Sequence, residues 1–378
     1  MNHIYLDYNA TTPVDPRVLE AMLPFYRDEY GNPSSSHGLG RRAQEAVQRA
    51  RAQVAELIGC ESDEIVFTSG GTESSNLAIQ GHLLQRAPDG NGHLVISSIE
   101  HPATVEPAQW LQRCRYELSI VGCDSAGVVN PADVASAIRD ETILISIMHA
   151  NNEVGSIQPI AEIAAICRDA GVALHVDAAQ SAGKIAVDVE QLGADLLTLA
   201  GHKFYASKGV GALYVRRGVQ LEPVLRGAGQ ERGLRPGTEN VAQIVGLGAA
   251  AELAARELPA TDKQLAGLRD RLHQALADAA GSRLTVHAAT AKRLPNTLSI
   301  SFPGVSGAEL LDKIPQLCAS TGAACHSGTT KMSATLAAMG VSEELARGTI
   351  RLSVGRFSTE QDIDTAARLL IDAWRQSS

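Results

Sequence analysis

Apolar residues recur along the middle of the chain with two different periods. Short β-type runs stand at residues 64–69, 93–100, 117–121, 142–150, 172–177, 196–199 and 211–215. Between them, 72–86, 103–114 and 160–169 carry the three-to-four-residue spacing of helices. This alternation predicts an α/β layer architecture around a mostly parallel sheet. Ligands of such sheets gather beyond the carboxyl ends of the strands. Residues capable of chemistry stand at those ends repeatedly: Gly70-Gly71-Thr72, His101, Asn151-Asn152, Asp177, Gln180 and His202-Lys203.

The pattern changes near residue 255. Residues 264–280 read as a helix, 283–287 and 296–302 as short strands, 349–354 as a final strand and 361–375 as a closing amphipathic helix. The expected division is a large ligand-binding domain over 15–255 and a smaller α+β domain made of 1–14 with 256–378. The N-terminal stretch, with Pro13, Pro16, Pro24 and Pro33, is expected to pack against the smaller domain.

Composition narrows the class. A chain of 378 residues exceeds the usual single-domain size. Its net charge of −9 argues against nucleic acid as the main partner, because phosphate backbones need a basic surface. No apolar run approaches the roughly 18 residues that span a bilayer, so no membrane partner is expected. The start Met1-Asn-His-Ile-Tyr-Leu-Asp-Tyr8 has no basic n-region or apolar h-region, so no signal peptide is read and a cytoplasmic location is expected. Six cysteines (Cys60, Cys114, Cys123, Cys167, Cys318, Cys325) lack CxxC spacing, which suits free thiols rather than a disulfide framework or a metal site.

The strand-end residues suggest one chemistry. Lys203 and Asp177 close two neighbouring apolar runs. A lysine beside a buried acid suits a Schiff base with pyridoxal phosphate, the carboxylate keeping the ring nitrogen protonated so that the ring accepts electrons from the substrate. Gly70-Gly71-Thr72, between a strand and a helix, suits a phosphate held on free N–H groups; a glycine turn with Thr72 as N-cap fits the same residues. His101 can stack on a flat ring and move protons, or simply be a satisfied polar residue. Asn152 and Gln180 can donate to a phenolate oxygen, or merely fix loops. Cys325, in the small-residue loop Ala319-Ser-Thr-Gly-Ala-Ala-Cys-His-Ser-Gly328, suits a nucleophile that must travel. The other five cysteines read as inert. Arg351 and Arg356, in Ile350-Arg-Leu-Ser-Val-Gly-Arg356, offer forks for a substrate carboxylate; if Leu352 faces a core, Arg351 faces the opposite way.

Taken together, the motifs resemble the cysteine desulfurases of the NifS/IscS type, with selenocysteine lyase as a close relative, on the fold type I scaffold of the class V aminotransferases. The resemblance runs nearly end to end through Tyr5-Leu-Asp-Tyr-Asn-Ala-Thr-Thr-Pro13, Gly31-Asn-Pro-Ser34, Thr68-Ser-Gly-Gly-Thr-Glu-Ser74, Glu100-His101, Asn151-Asn-Glu-Val-Gly155, His175-Val-Asp-Ala-Ala-Gln180, Gly201-His-Lys203, Gly229-Gln-Glu-Arg-Gly233 and Gly237-Thr-Glu-Asn240. It implies a large domain with a mixed, mostly parallel seven-stranded sheet. It also implies that Lys203 holds pyridoxal phosphate, Asp177 faces the ring nitrogen, His101 stacks on the ring, and Asn152 and Gln180 face the phenolic oxygen. Gly71, Thr72 and His202 would hold the phosphate, with Thr238 reaching the neighbouring subunit's phosphate in a homodimer. Arg351, with Asn152, would bind the substrate, and Cys325 would form the persulfide passed to an acceptor or scaffold protein in iron–sulfur or thiolation pathways.

Some residues depart from the pattern. Ala200 stands where a phosphate-binding serine is frequent, and Gly-Ala-Ala-Cys-His-Ser with Arg235-Pro-Gly-Thr238 leans toward selenocysteine lyase, while Pro102 after His101 leans toward NifS-like desulfurases. The expected reaction is L-cysteine to L-alanine. Turnover of L-selenocysteine, and a class V aminotransferase without desulfurase activity, stand as alternatives.

Overall fold

The computed structural model describes residues 3–321 and 332–377. Seven strands form the main sheet: Ile65–Thr68 (β1), His93–Ser97 (β2), Glu117–Val121 (β3), Thr142–Met148 (β4), Ala173–Asp177 (β5), Leu196–Ala200 (β6) and Gly211–Val215 (β7). Their order is β1-β7-β6-β5-β4-β2-β3, and β7 alone runs against its neighbours. This is the mixed, mostly parallel seven-stranded sheet expected.

Alternation along each strand sorts side chains to two helical layers. Phe67, Val95, Ile145, Leu174, Leu197 and Tyr214 face one core, which includes Val47, Val54 and Ile58 of helix α1 (Gly38–Ile58). Their neighbours Val66, Leu94, Leu144, Leu196 and Leu213 face the other, against α2 (Gly71–Arg86) and α3 (Pro102–Arg113). Each buried Leu or Ile contributes about 1.5–3 kcal/mol.

A second core gathers Ile4 and Leu6 with Leu265, Leu268, Leu272, Leu276, Ile350, Leu352 and Trp374. Around it stand β8 (Thr285–Val286), β9 (Thr297–Ser301) and β10 (Thr349–Ser353), all antiparallel, and the closing helix Glu360–Arg375. The chain's first strand, Ile4–Tyr5, pairs with Leu317–Cys318.

Two features escaped the sequence pattern. The 21-residue helix α1 was not predicted at all. The helix expected over 264–280 in fact runs from Val241 to Ala280 and passes residue 255 without a break. Its first half is rich in Ala and Gly and so lacks a clear apolar stripe. Those glycines serve contact: a Cβ on Gly248 would lie 2.5 Å from Ala50 Cα of α1, and one on Gly246 2.7 Å from Met22 Sδ. The cysteines are also less uniform than expected. Cys167 is buried, Cys60, Cys123 and Cys318 are half-buried, and Cys114 is exposed. No helix among the described residues is long and apolar enough to cross a membrane.

Candidate active site

Strand β6 ends in a 3₁₀ turn, Gly201–Lys203. A Cβ on Gly201 would lie 3.0 Å from both Leu247 Cδ1 and Val210 O, so glycine lets the turn pack tightly. The turn presents Lys203 Nζ to two backbone carbonyls, Asn9 O at 2.8 Å and Ala10 O at 2.9 Å. Burial lowers this amine to about 8, Arg351 adds to the fall, and Asp177 and Asp7 oppose it. A larger share of neutral amine at pH 7 to 8 suits condensation with a carbonyl.

Asp177 ends β5, opposite Met148 on one side and Thr198 on the other. Its Oδ1 accepts the Ala179 N–H at 2.9 Å. Burial pushes the carboxyl above its usual range, while the Ala179 amide, His101 and Lys203 pull the other way. A buried acid with so little compensation suits a protonated ring nitrogen as its counter-charge.

Helix α2 begins beside these two residues. Gly70 precedes it at φ 149°, a conformation that side-chain-bearing residues rarely adopt. The first helical bond runs from Ser74 N to Gly70 O at 3.1 Å, so the amides of Gly71, Thr72 and Glu73 have no helical acceptor. Glu73 ties this turn down: Oε2 accepts Ser69 N–H at 2.7 Å and Oε1 accepts Arg235 Nε at 3.0 Å. That second bond holds the loop carrying Thr238, which is itself exposed. A Cβ on Gly71 would meet the Ala200 methyl at 3.3 Å. An amine held by carbonyls, an under-compensated buried acid and an open amide cradle together fit pyridoxal phosphate.

His101 caps α3, its Nδ1 accepting the Ala103 N–H at 3.1 Å. On that network the neutral ring carries its proton on Nε2. Burial lowers its pKa and Asp177 opposes the fall, so a neutral ring is favoured. His202 Nδ1 lies 3.1 Å from Thr11 Oγ1, and burial, with Lys203 second, pushes it down to about 4. Gln180 Nε2 donates to Asn9 O at 3.0 Å. Asn152 is half-buried, and it is its backbone carbonyl that is engaged, by Arg351 Nη1 at 3.0 Å and Asn9 Nδ2 at 3.1 Å.

Arg351 lies on β10 opposite the face where Leu352 enters the second core. Its Nη2 meets Asp7 Oδ1 at 2.6 Å, and its buried Nε has no hydrogen-bond partner among the described residues. Arg356 is a structural residue instead: it pairs with Asp15 at 2.8 Å and lies 4.5 Å over the Tyr205 ring. Cys325 and His326 lie outside the described residues. The chain on either side is anchored at the site, since Ser320 and Arg351 exchange backbone bonds and Ser333 Oγ donates to Glu153 Oε2 at 2.5 Å.

Sequence reasoning overlooked three residues that the fold brings to this site: Asn9, Asp7 and Lys184. Asn9 and Asp7 fall in the N-terminal motif, the only signal that pointed to them. Lys184 has no motif; it stands one helical turn after Gln180. Beneath the site a buried polar chain runs from Ser146 Oγ through His175 (2.7 and 3.0 Å) to Thr198 and Ser75. Burial lowers His175 to about 3, which keeps it neutral.

Residues 4–366 match the family model described as Aminotransferase class-V. A cysteine desulfurase IscS of Anaeromyxobacter dehalogenans (strain 2CP-C) is 49% identical over 97% of this chain and 91% of its own length. The IscS of Azotobacter vinelandii is 44% identical over 98% and 92%. Among solved structures, a NifS-like protein superposes with a TM-score of 0.92 at 37% identity, over 99% of this chain and all of its own. One solved as SspA in complex with cysteine gives 0.83 at 35% identity, over 94% and 99%.

Proposed function

The chain belongs to the class-V aminotransferases, as a pyridoxal-phosphate-dependent cysteine desulfurase of the IscS/NifS type, and from that premise we propose how its own residues divide the work. The observation that carries the reading is the Lys203 amine, held on two carbonyls between the acid Asp177 and the fork of Arg351.

When bound, pyridoxal phosphate supplies an electron sink for charge developing at the substrate Cα. Lys203 would hold it, Asp177 would serve its ring nitrogen, Gln180 and Asn152 its phenolic oxygen, and Gly71, Thr72 and His202 its phosphate. Arg351 binds the carboxylate of L-cysteine, which competes with Asp7 for the guanidinium. His101 would stack on the ring, with its Nε2–H as the available donor. Lys203 Nζ, freed as an amine, takes the Cα proton.

The Cys325 thiolate then attacks the substrate sulfur. An S–S bond forms as the substrate C–S bond breaks, the electron pair leaving with carbon, and a proton completes the methyl group of L-alanine. The balance is L-cysteine plus one enzyme thiol giving L-alanine plus one enzyme persulfide. Anchoring of Ser320 to Arg351 and Ser333 to Glu153 supports delivery of Cys325 to this place.

The assembly is proposed as a cytoplasmic homodimer in which Thr238 of the partner subunit completes the phosphate site; exposed Thr238 on a loop held by Glu73 supports this. Residues 15–255 act as one domain and 1–14 with 256–378 as the other, in keeping with the separate cores. The sulfur passes to an acceptor or scaffold protein of iron–sulfur or thiolation pathways. Ala200, buried and without a hydroxyl, favours a second reading in which L-selenocysteine is also turned over.

Borohydride reduction followed by peptide mapping tests the first step, and the label should fall on Lys203. Cys325→Ala should keep the cofactor absorbance and lose the persulfide. Undiminished alanine and sulfide release from that variant would refute the sulfur-transfer role.

A further inference from the structure

We infer that Lys184 is a positioning residue for the cofactor site: its buried amine dictates which end of the Gln180 amide faces the site. The inference rests on the roles given above to Lys203 and Gln180. Lys184 is 5% exposed, and its Nζ donates to Gln180 Oε1 at 2.7 Å and to Asn9 Oδ1 at 2.9 Å. No carboxylate among the described residues pairs with it. Burial, together with the cations Lys203 and Arg351, pushes this amine well below its ordinary range. Two of its N–H bonds are directed at these two amide oxygens.

The two ends of an amide are nearly equal in shape and opposite in hydrogen-bonding sense. With Lys184 holding Oε1, the Nε2 end turns away from it. One of its hydrogens goes to Asn9 O at 3.0 Å, the carbonyl that also receives Lys203 Nζ at 2.8 Å. The second hydrogen remains for an anionic acceptor beside Lys203, such as a phenolate oxygen.

Asn9 is fixed in the same way. Its Oδ1 accepts from Lys184 and from Asn296 Nδ2 at 3.0 Å, while its Nδ2 donates to Thr297 Oγ1 at 2.9 Å and Asn152 O at 3.1 Å. Lys184 therefore sets two amides, and the backbone of one of them holds the Lys203 amine. An apolar side chain at 184 removes the reason for Oε1 to point inward. A reversed Gln180 would then aim a lone pair, not a hydrogen, at the phenolate.

The test is the pH titration of the visible absorbance of holoenzyme with its cofactor on Lys203. The charged and titratable groups around this chromophore are Lys203, Arg351, Asp7, Asp177, His101 and His202, and all stay unchanged. A hydrogen donated to the phenolate favours the deprotonated chromophore. Lys184→Met should therefore raise its midpoint by about one pH unit, roughly 1.4 kcal/mol. Lys184→Gln, which keeps a donor in place, should restore the midpoint to within a few tenths of a unit. Lys184→Met combined with Gln180→Leu should shift no further than Gln180→Leu alone.

An unshifted Lys184→Met midpoint, or a double variant equal to the sum of the singles, overturns the inference. If Lys184→Met does not fold, Gln180→Glu with Lys184 intact should raise the midpoint at least as much, and an unshifted titration overturns the inference there too. Failure of borohydride to label Lys203 in the unaltered protein would instead sink the underlying assignment.

Discussion

Glu100 precedes His101 and is buried, with Oε1 accepting Ser97 Oγ at 2.5 Å and Met148 N–H at 2.9 Å. Its Oε2 is buried and has no hydrogen-bond partner among the described residues. Burial pushes this carboxyl up to about 8, and the nearby Asp177 adds to the rise; the Ser97 and Met148 bonds pull it down. The group is thus neutral when folded at pH 7 and ionised when unfolded. Between pH about 4.5 and about 8 the unfolded chain binds fewer protons at this position, so stability falls as pH rises through that window and levels off above it.

From a starting value of 4.5, the linkage relation gives a loss of about 2 kcal/mol between about pH 5.5 and about pH 7. Glu100→Gln keeps the shape and the Oε1 acceptor and removes the titration. The assay is urea unfolding of both proteins across that range, read as the difference between them. The buried histidines, His149 and His287 at about 4 among them, give stability that grows with pH toward 6.5. They are common to both proteins and cancel in the difference. The advantage of Glu100→Gln should widen steadily with pH. Parallel pH curves would show that Glu100 ionises without penalty in the fold, and the reasoning would fail.

Two further outcomes follow from the site and one from a buried ion pair outside it. Arg351→Lys keeps the charge but loses the fork, so kcat/KM for L-cysteine should fall by about a hundredfold, about 2.7 kcal/mol, with the cofactor absorbance retained; an unchanged value would remove Arg351 from substrate binding. Reconstitution of apoenzyme with pyridoxal phosphate should accelerate as pH rises and level off above about 8, where Lys203 becomes mostly neutral; a rate still climbing toward pH 10 would mean an unshifted amine. Glu231 joins Arg51 at 2.6 Å in a buried pair and also accepts the Phe67 N–H at 2.9 Å, so Glu231→Ala strands a buried guanidinium and should cost about 3–5 kcal/mol in denaturant unfolding.

Local pattern alone determined much of this protein. Strand-length apolar runs separated by helical ones dictate a layered α/β sheet, and a sheet of that kind collects ligand groups at its carboxyl edge. Asp177, His101, Lys203 and the Gly70-Gly71 turn were therefore legible, each lying next to the strand that positions it. The ordered motifs carried the resemblance that names the chemistry.

Tertiary structure alone decided the rest. The buried face of helix α1 is largely Ala and Gly, and the first half of the helix Val241–Ala280 is rich in both; such small residues give a weak apolar signal along the chain, and close helix contact rather than large side chains stabilises the pair. Arg351 and Arg356 look alike along the chain, and only their partners distinguish them: one reaches Asp7 and the Asn152 carbonyl, the other Asp15. Asn9 meets Lys203 across 194 residues and Lys184 across 175. Contacts of that kind arise when the N-terminal segment crosses from one core to the other, and no local spacing encodes them.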